Sequence, residues 1–257
     1  HYFTPETDYG FTANAGARLG GLNIWTKPQK PFTIYTRNRF GQDFIHYQLF
    51  ENKQIANFSR IVFRNSGDDW EETLIRDPMT ESLAMGMMDC GYMAYTPSAL
   101  YLNGAYWGIH NVREKFDTQY FSENFNVGPD NIDQLEYTQT QSGTQLQVIE
   151  GSMDNYNSMI NYILSSDLNE PTVYAQIKEL MNVDSFIDHV VMTLYCANTS
   201  WGHNREWWRS REEGGRWQWL IVDIDRGFNI NNSYTNLLDN LMDDYELFQY
   251  LLNSQFF

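Results

Sequence analysis

Apolar and polar positions repeat with a short period in the first third of the chain and with a longer one afterwards. Pro31 to Arg37 (PFTIYTR), Phe44 to Phe50 (FIHYQLF) and Phe58 to Arg64 (FSRIVFR) alternate in part and are bounded by Gly, Asn or Pro. That pattern predicts short strands of an antiparallel sheet. Gly10 to Leu22 mixes glycines with short apolar residues, and Gly20-Gly21 reads as a turn ahead of Leu22-Asn23-Ile24-Trp25. Between Trp70 and Met88 the period lengthens: Leu74, Met79, Leu83 and Met87 fall close to one helical stripe. Asp77-Pro78 interrupts it, with Asp77 suited to the N-cap and Pro78 to the first position of the main helix. Ala99 to Asn103 and Ala105 to Arg113 then flank Asn103-Gly104, the strongest short signal for a hairpin.

From about Phe116 the pattern is mostly helical. Met153, Tyr156, Met159, Ile160, Ile163 and Leu164 keep helical spacing, as do Val173, Ile177, Leu180 and Met181 after Pro171. Asn126 to Gly151, rich in Gln, Thr, Asn and Gly, reads as an exposed connection. Asp184 is placed to cap a helix with the stripe Phe186, Ile187, Val190, Val191 and Leu194. That helix leads to Asn198 to Phe228, NTSWGHNREWWRSREEGGRWQWLIVDIDRGF. There a polar loop precedes a two-stranded ribbon: Arg205 to Ser210 is strand-like, Glu212 to Gly215 a turn, and Arg216 to Ile224 aromatic and β-branched. Leu237, Leu238, Leu241, Tyr245, Phe248, Leu251 and Leu252 predict a last amphipathic helix.

These elements predict an α+β chain of two parts, a β-rich lobe over residues 1–115 with one main helix and a hairpin, and a mainly helical lobe over residues 116–257 that carries the loop and ribbon. With 257 residues, 42% hydrophobic and 16% aromatic, the chain has ample material for a core. Seventeen Lys plus Arg against 33 Asp plus Glu leave a formal charge of −16, which disfavours nucleic acid and anionic membranes as partners in the absence of a basic patch. No apolar run approaches the roughly 20 residues that span a bilayer. Cys90 and Cys196 sit in apolar settings where buried free thiols are the ordinary reading. His1, His46, His110 and His189 lack zinc-site spacing. The chain opens at His1 and closes on Phe256-Phe257 in mid-pattern, so it reads as a piece of a longer protein.

The chemistry concentrates in the ribbon. Residues two apart on a strand share a face, so Asp223 and Asp225 are expected to aim at one point where the strand runs out, and two carboxylates aimed together suit a cation. A β-rich lobe, a hairpin, a helical lobe, then loop, ribbon and metal-type Asp is the order of a protein kinase. In that fold a loop Asn and the Asp after the ribbon hold magnesium while a strand Lys neutralises phosphate. Asn204 and Asp225 or Asp223 fit this order, although HRD and DFG are absent as such. Plainer readings stand beside these: strand-end acids capping a turn, Asn204 as a turn residue, Lys30 as a solvated edge lysine, Arg113-Glu114-Lys115 as a surface charge cluster, and His203 as a loop hydrogen-bonder. Asp-x-Asp also occurs in metal-dependent glycosyltransferases, and acidity with many aromatics in carbohydrate-binding modules.

Five stretches together resemble the spore coat protein CotH family of atypical kinases over nearly the whole chain. They are PQKPFTIYTR (Pro28 to Arg37), FRNSGDDWEETLIRD (Phe63 to Asp77), YLNGAYWGIHNVREKFD (Tyr101 to Asp117), ANTSWGHNREWWR (Ala197 to Arg209) and the WQWLIVDIDRGF strand. The resemblance implies a two-lobed kinase-like fold that binds ATP with Mg2+ and, in active members, phosphorylates Ser or Thr of protein substrates such as coat or surface proteins. It implies Asn204 with Asp223 and Asp225 as metal ligands, Asp225 preferred because Arg226-Gly227 follows it. It further implies Lys30 as the phosphate lysine and Glu114 near the nucleotide. Any spore-coat or cell-surface location follows from the resemblance alone. Where the family reads Asn-Thr-Asp-Trp, this chain reads Asn198-Thr199-Ser200-Trp201, so the position of the catalytic base holds a serine. A hydroxyl cannot accept a proton at neutral pH as a carboxylate does. The alternative to a kinase is therefore a pseudokinase or structural scaffold on the same fold.

Overall fold

The computed structural model describes every residue except 6–8, 22–26 and 141, so the stretch Leu22-Asn23-Ile24-Trp25 lies outside the described residues. The fold is mixed α+β and divides into two compact units. One comprises His1–Pro78 and Met93–Asn126, the other Met79–Tyr92 and Val127–Phe257.

The first unit is built on strands β1 (Gly16–Leu19), β2 (Phe32–Tyr35), β3 (Ile45–His46), β4 (Asn57–Phe58) and β5 (Arg60–Arg64). Helix α1 (Arg76–Ala84) begins here and from Met79 onward belongs to the second unit; β6 (Tyr95–Leu102), β7 (Ala105–Arg113) and α2 (Thr118–Phe125) complete the first. Five strands form an antiparallel sheet in the order β1-β2-β5-β7-β6, and β3 and β4 pair separately. Register sets the packing: Phe32 lies opposite Phe63 and their rings stack at 4.7 Å. Ile45, Phe50, Phe58, Ile61 and Val112 fill the core. The expected strand at Phe44 to Phe50 shrinks to the pair Ile45–His46, because Leu49 and Phe50 leave the ladder to pack in that core. At the predicted hairpin, Asn103 and Gly104 have φ of 52° and 80°, the double left-handed turn that matches strand twist.

Helix α1 corrects the stripe read from the sequence. Leu83 is 46% exposed and Met87 85%, whereas Asp77, Thr80, Glu81 and Ala84 are buried. Its inward face is polar because it holds charge: Arg113 and Arg64 both reach the Asp77 carboxylate, Arg64 Nε at 3.1 Å. Asp77 is thus an ion-pair partner inside the first turn rather than the N-cap. The segment before the helix is organised by buried Asp69, whose carboxylate accepts from Thr73 N, Thr73 Oγ1 and Arg76 N at 3.0, 2.5 and 3.0 Å.

The second unit adds β8 (Ile132–Thr140), β9 (Gly143–Glu150), α3 (Asp154–Ser165), α4 (Pro171–Leu180), α5 (Val183–Tyr195), β10 (Arg205–Ser210), β11 (Gln218–Leu220), α6 (Leu238–Asp244) and α7 (Glu246–Leu251). Here the expected exposed connection at Asn126 to Gly151 is overturned, since β8 and β9 form a long hairpin and β8 lies centrally in the sheet β11-β10-β8-β9. Its polar composition misleads because β9 is a largely exposed edge and only the start of β8 is buried. The period-two signal is present, with Leu135 opposite Val148 and Tyr137 opposite Leu146.

Trp207 pairs with Trp219 across β10 and β11, and both are fully buried with Trp217, Phe186, Met159, Ile163 and Leu251. The ribbon's second strand stops at Leu220, short of the predicted Ile224. Asn182, not Asp184, caps α5, its side chain accepting from Ser185 N at 3.2 Å. Val191 of the expected stripe is exposed, and His189, Met192 and Thr193 are buried instead. The last predicted helix is two short ones broken at Tyr245, whose ring packs on Phe186 at 5.4 Å and cannot continue the helical path. No helix among the described residues is long and apolar enough to cross a membrane.

Candidate functional site

The end of α5 and the end of the ribbon are tied together by the backbone. Phe228 N donates to Cys196 O at 2.6 Å, and Gly227 N to Ile224 O at 2.9 Å. A Cβ on Gly227 would lie 2.8 Å from Ile224 Cγ2 and 3.1 Å from Cys196 Sγ, so the turn after Asp225 closes on α5 only with glycine there. Ile221 and Ile224 pack with Cys90, Met192 and Cys196 beneath it. Burial pushes the Cys196 thiol up to about 12, so it stays protonated and serves as packing.

Between α5 and β10 the loop makes one 3-10 turn, Trp201–His203. Ser200 is 2% exposed. Its hydroxyl donates to Asn198 Oδ1 at 2.8 Å and accepts from Asn204 Nδ2 at 3.2 Å. Asn204 Nδ2 also reaches Asp223 O at 3.4 Å. Asn198, Ser200, Asn204 and the backbone of Asp223 therefore form one hydrogen-bonded run. His203 lies in the turn, where its N–H donates to Ser200 O at 3.2 Å.

The two acids differ from the sequence expectation. The pleat ends at Leu220 and Asp223 is left-handed at φ 51°, so a shared strand face does not apply to Asp223 and Asp225. Asp223 is half-buried and Asp225 is 5% exposed. Among the described residues seven non-glycine residues have positive φ, and three of them, Ala197 (50°), Asp223 (51°) and Phe228 (49°), bracket this loop and turn. Backbone strain concentrated in this way costs on the order of 1 kcal/mol or more per residue and persists where the surroundings enforce it. No group of three or more His, Cys, Asp and Glu among the described residues is placed to hold a metal. A cation at this loop would therefore need the amide of Asn204 beside the carboxylates.

Lys30 and Glu114 belong to the first unit. Lys30 Nζ donates to Lys27 O ahead of β2, in a half-buried position. Its own carbonyl accepts from His110 Nε2 at 3.0 Å, while His110 Nδ1 faces Gln29 Nε2 at 2.9 Å. Both contacts suit a neutral ring protonated at Nε2, and burial lowers the His110 pKa accordingly. Glu114 is not a surface charge. Its Oε2 takes Lys53 Nζ at 2.6 Å and Ala94 N at 2.8 Å, its Oε1 takes Asn124 Nδ2 at 3.1 Å, and Lys53 also lies over the Tyr120 ring at 4.9 Å.

Sequence reasoning passed over Arg64. At the end of β5 it is held by Asp77 of the following helix, a strand cation on a helix carboxylate, which is how protein kinases orient the cation that meets nucleotide phosphate. The available signal was the arginine closing a short apolar strand ahead of the next helix.

Helix, polar loop, buried ribbon and acidic turn in this order are the features of a kinase-like chain. The family model described as CotH kinase protein matches residues 20–256, and the chain belongs to that family. No curated protein matches it.

Proposed function

We propose that the chain binds ATP with Mg2+ at the loop and acidic turn of its second unit, and that its phosphoryl transfer is strongly impaired. The observation that carries this is the run Asn198–Ser200–Asn204–Asp223 beside buried Asp225. With Asn204 Nδ2 engaged by Ser200 Oγ and Asp223 O, the Oδ1 lone pairs are the amide's remaining ligand atoms. Together with the carboxylates of Asp225 and Asp223 they would make an all-oxygen donor set, a chemistry that fits magnesium better than a softer metal. Magnesium supplies charge neutralisation and alignment of the phosphate oxygens.

Ser200 supports impairment rather than loss of the site. Its oxygen is committed on both sides, and it offers no carboxylate to take the proton of an incoming hydroxyl. A scaffold that uses nucleotide for stability is the second reading and rests on the same serine. We assign the two compact units to the two lobes of the kinase-like fold; they differ from the expected 1–115 and 116–257 in that Met79–Tyr92 belongs to the second unit. The acceptor we assign is Ser or Thr of a coat-type or surface-type protein, on family membership.

Thermal melting with ATP or sugar nucleotides, each with Mg2+ or Mn2+, tests the reading. Saturating Mg-ATP should raise Tm by about 5 °C or more, and Asp225→Asn should abolish the rise. A rise with sugar nucleotides alone would replace this proposal with a glycosyltransferase, and no response to any ligand would leave the scaffold.

A further inference from the structure

Arg205, the residue after Asn204, is 8% exposed. Among the described residues its guanidinium makes no ion pair with a carboxylate, and its Nε is buried without a hydrogen-bond partner. Three aromatic rings surround it instead: Tyr137 of β8 at 4.4 Å, Tyr245 between α6 and α7 at 4.5 Å, and Trp201 of the loop at 5.0 Å. Trp201 stacks on Tyr245 at 5.8 Å, and Arg205 Nη2 reaches Gly202 O at 3.4 Å.

A buried cation without a carboxylate partner carries a desolvation cost of several kcal/mol, which ring quadrupoles, the Gly202 carbonyl and a hydrogen bond to the Tyr245 hydroxyl offset only in part. A fold organised for stability alone would place a neutral side chain here. What the arrangement does is geometric. Trp201 and Gly202, the two residues following Ser200, are both fastened to the side chain that follows Asn204. The guanidinium plane, gripped by rings from the sheet and from the C-terminal helices, sets where the turn between Ser200 and Asn204 lies. Strand β10 fixes Arg205 itself, through its register opposite Tyr137. The loop's position is thereby referred to the most buried part of the unit.

We propose that Arg205 is a positioning residue: an aromatic-caged cation that clamps the Ser200–Asn204 loop in the conformation that presents Asn204 to the metal-nucleotide. The clamp is a property of the free protein, and its effect on ligand rests on the function proposed above. The cage asks for a planar cation that can lie against three rings and donate to a carbonyl at once. Lysine keeps the charge but offers a compact ammonium that cannot cover three faces, so it should restore the clamp only in part.

Backbone hydrogen exchange of the whole chain, wild type against Arg205→Met and Arg205→Lys, tests this without requiring activity. Trp201, His203 and Asn204 donate their N–H groups to Asn198 O, Ser200 O and Trp201 O, so they report the loop directly. In Arg205→Met their exchange should quicken about tenfold or more while α5 and β8 keep wild-type rates, with Arg205→Lys intermediate. In the same proteins the Mg2+ concentration that half-saturates ATP binding should rise about tenfold in Arg205→Met. Unchanged loop exchange, or faster exchange throughout the unit, would overturn the proposal. If the wild type binds no Mg-ATP, the proposed function fails, and the exchange result still decides the clamp.

Discussion

Asn204 Nδ2 donates to the Ser200 hydroxyl oxygen at 3.2 Å, so the serine orients the amide four residues on. Ser200→Ala removes this bond and the one to Asn198, a loss of about 1–3 kcal/mol for two buried hydrogen bonds. It should also raise the Mg2+ requirement for ATP binding several-fold, measured by titration calorimetry. On the function proposed above, Ser200→Asp places a carboxylate where the base would stand, and Asn198 can turn its amide to donate to it. Transfer of radiolabelled phosphate to a protein acceptor should then rise by about 10²-fold or more. If transfer does not rise in a variant that still binds Mg-ATP, the missing base is not what limits the chemistry.

Glu114 and Lys53 have side chains 4% and 9% exposed and pair at 2.6 Å, which makes one depend on the other. Lys53→Met strands a buried carboxylate with one N–H and one amide for company, and should cost about 3–5 kcal/mol in urea denaturation. Glu114→Gln retains a hydrogen-bonding shape at that site and should cost less. The structural role and the nucleotide role separate in the ATP titration: a structural Glu114 leaves the affinity of the folded Glu114→Gln protein unchanged, whereas an affinity loss of tenfold or more would return it to the nucleotide.

The elements best read in advance were those whose signal is local. Asn103-Gly104 dictates its hairpin through backbone conformation, and Arg205 to Ser210 matches its strand because Trp207 and Trp208 bury both faces. What escaped was decided by tertiary context. The β8–β9 hairpin looks polar because its edge faces solvent, and the inward side of α1 is polar because Arg64 and Arg113 meet Asp77 there. At the site, residue types were readable and geometry was not. The Asp223 and Asp225 spacing suggested a shared strand face, yet the pleat ends at Leu220 and Asp223 turns left-handed. Arg205 drew no notice because its three ring partners lie far apart in sequence.

Asp223 sits at φ 51°, a conformation that glycine adopts without strain. Asp223→Gly should leave the free protein's stability equal or raise it by up to about 1 kcal/mol. If the Asp223 carboxylate helps hold the cation, the same variant should lose about tenfold in Mg2+ affinity. Stability held while affinity falls is the expected pair of results. Loss of stability with unchanged affinity would make Asp223 a turn residue only.

His189 is buried beside Arg205, and its ring faces Tyr245 edge-on at 6.4 Å. Burial first, and then the Arg205 charge, push its pKa from 6.5 down to about 4. Tyr245 is raised to about 12 by burial and stays neutral across this range. The unfolded chain therefore binds a proton at His189 between pH 6.5 and about 4 that the folded chain refuses, so stability rises with pH in that window. The contribution is complete above pH 6.5 and is lost as pH falls toward 4, a difference on the order of 3 kcal/mol. Urea denaturation of wild type and His189→Gln from pH 4 to 8 isolates it, because the other titrating groups are common to both. The wild-type curve should be steeper below pH 6.5, and parallel curves would mean that His189 takes up its proton equally well in the folded protein.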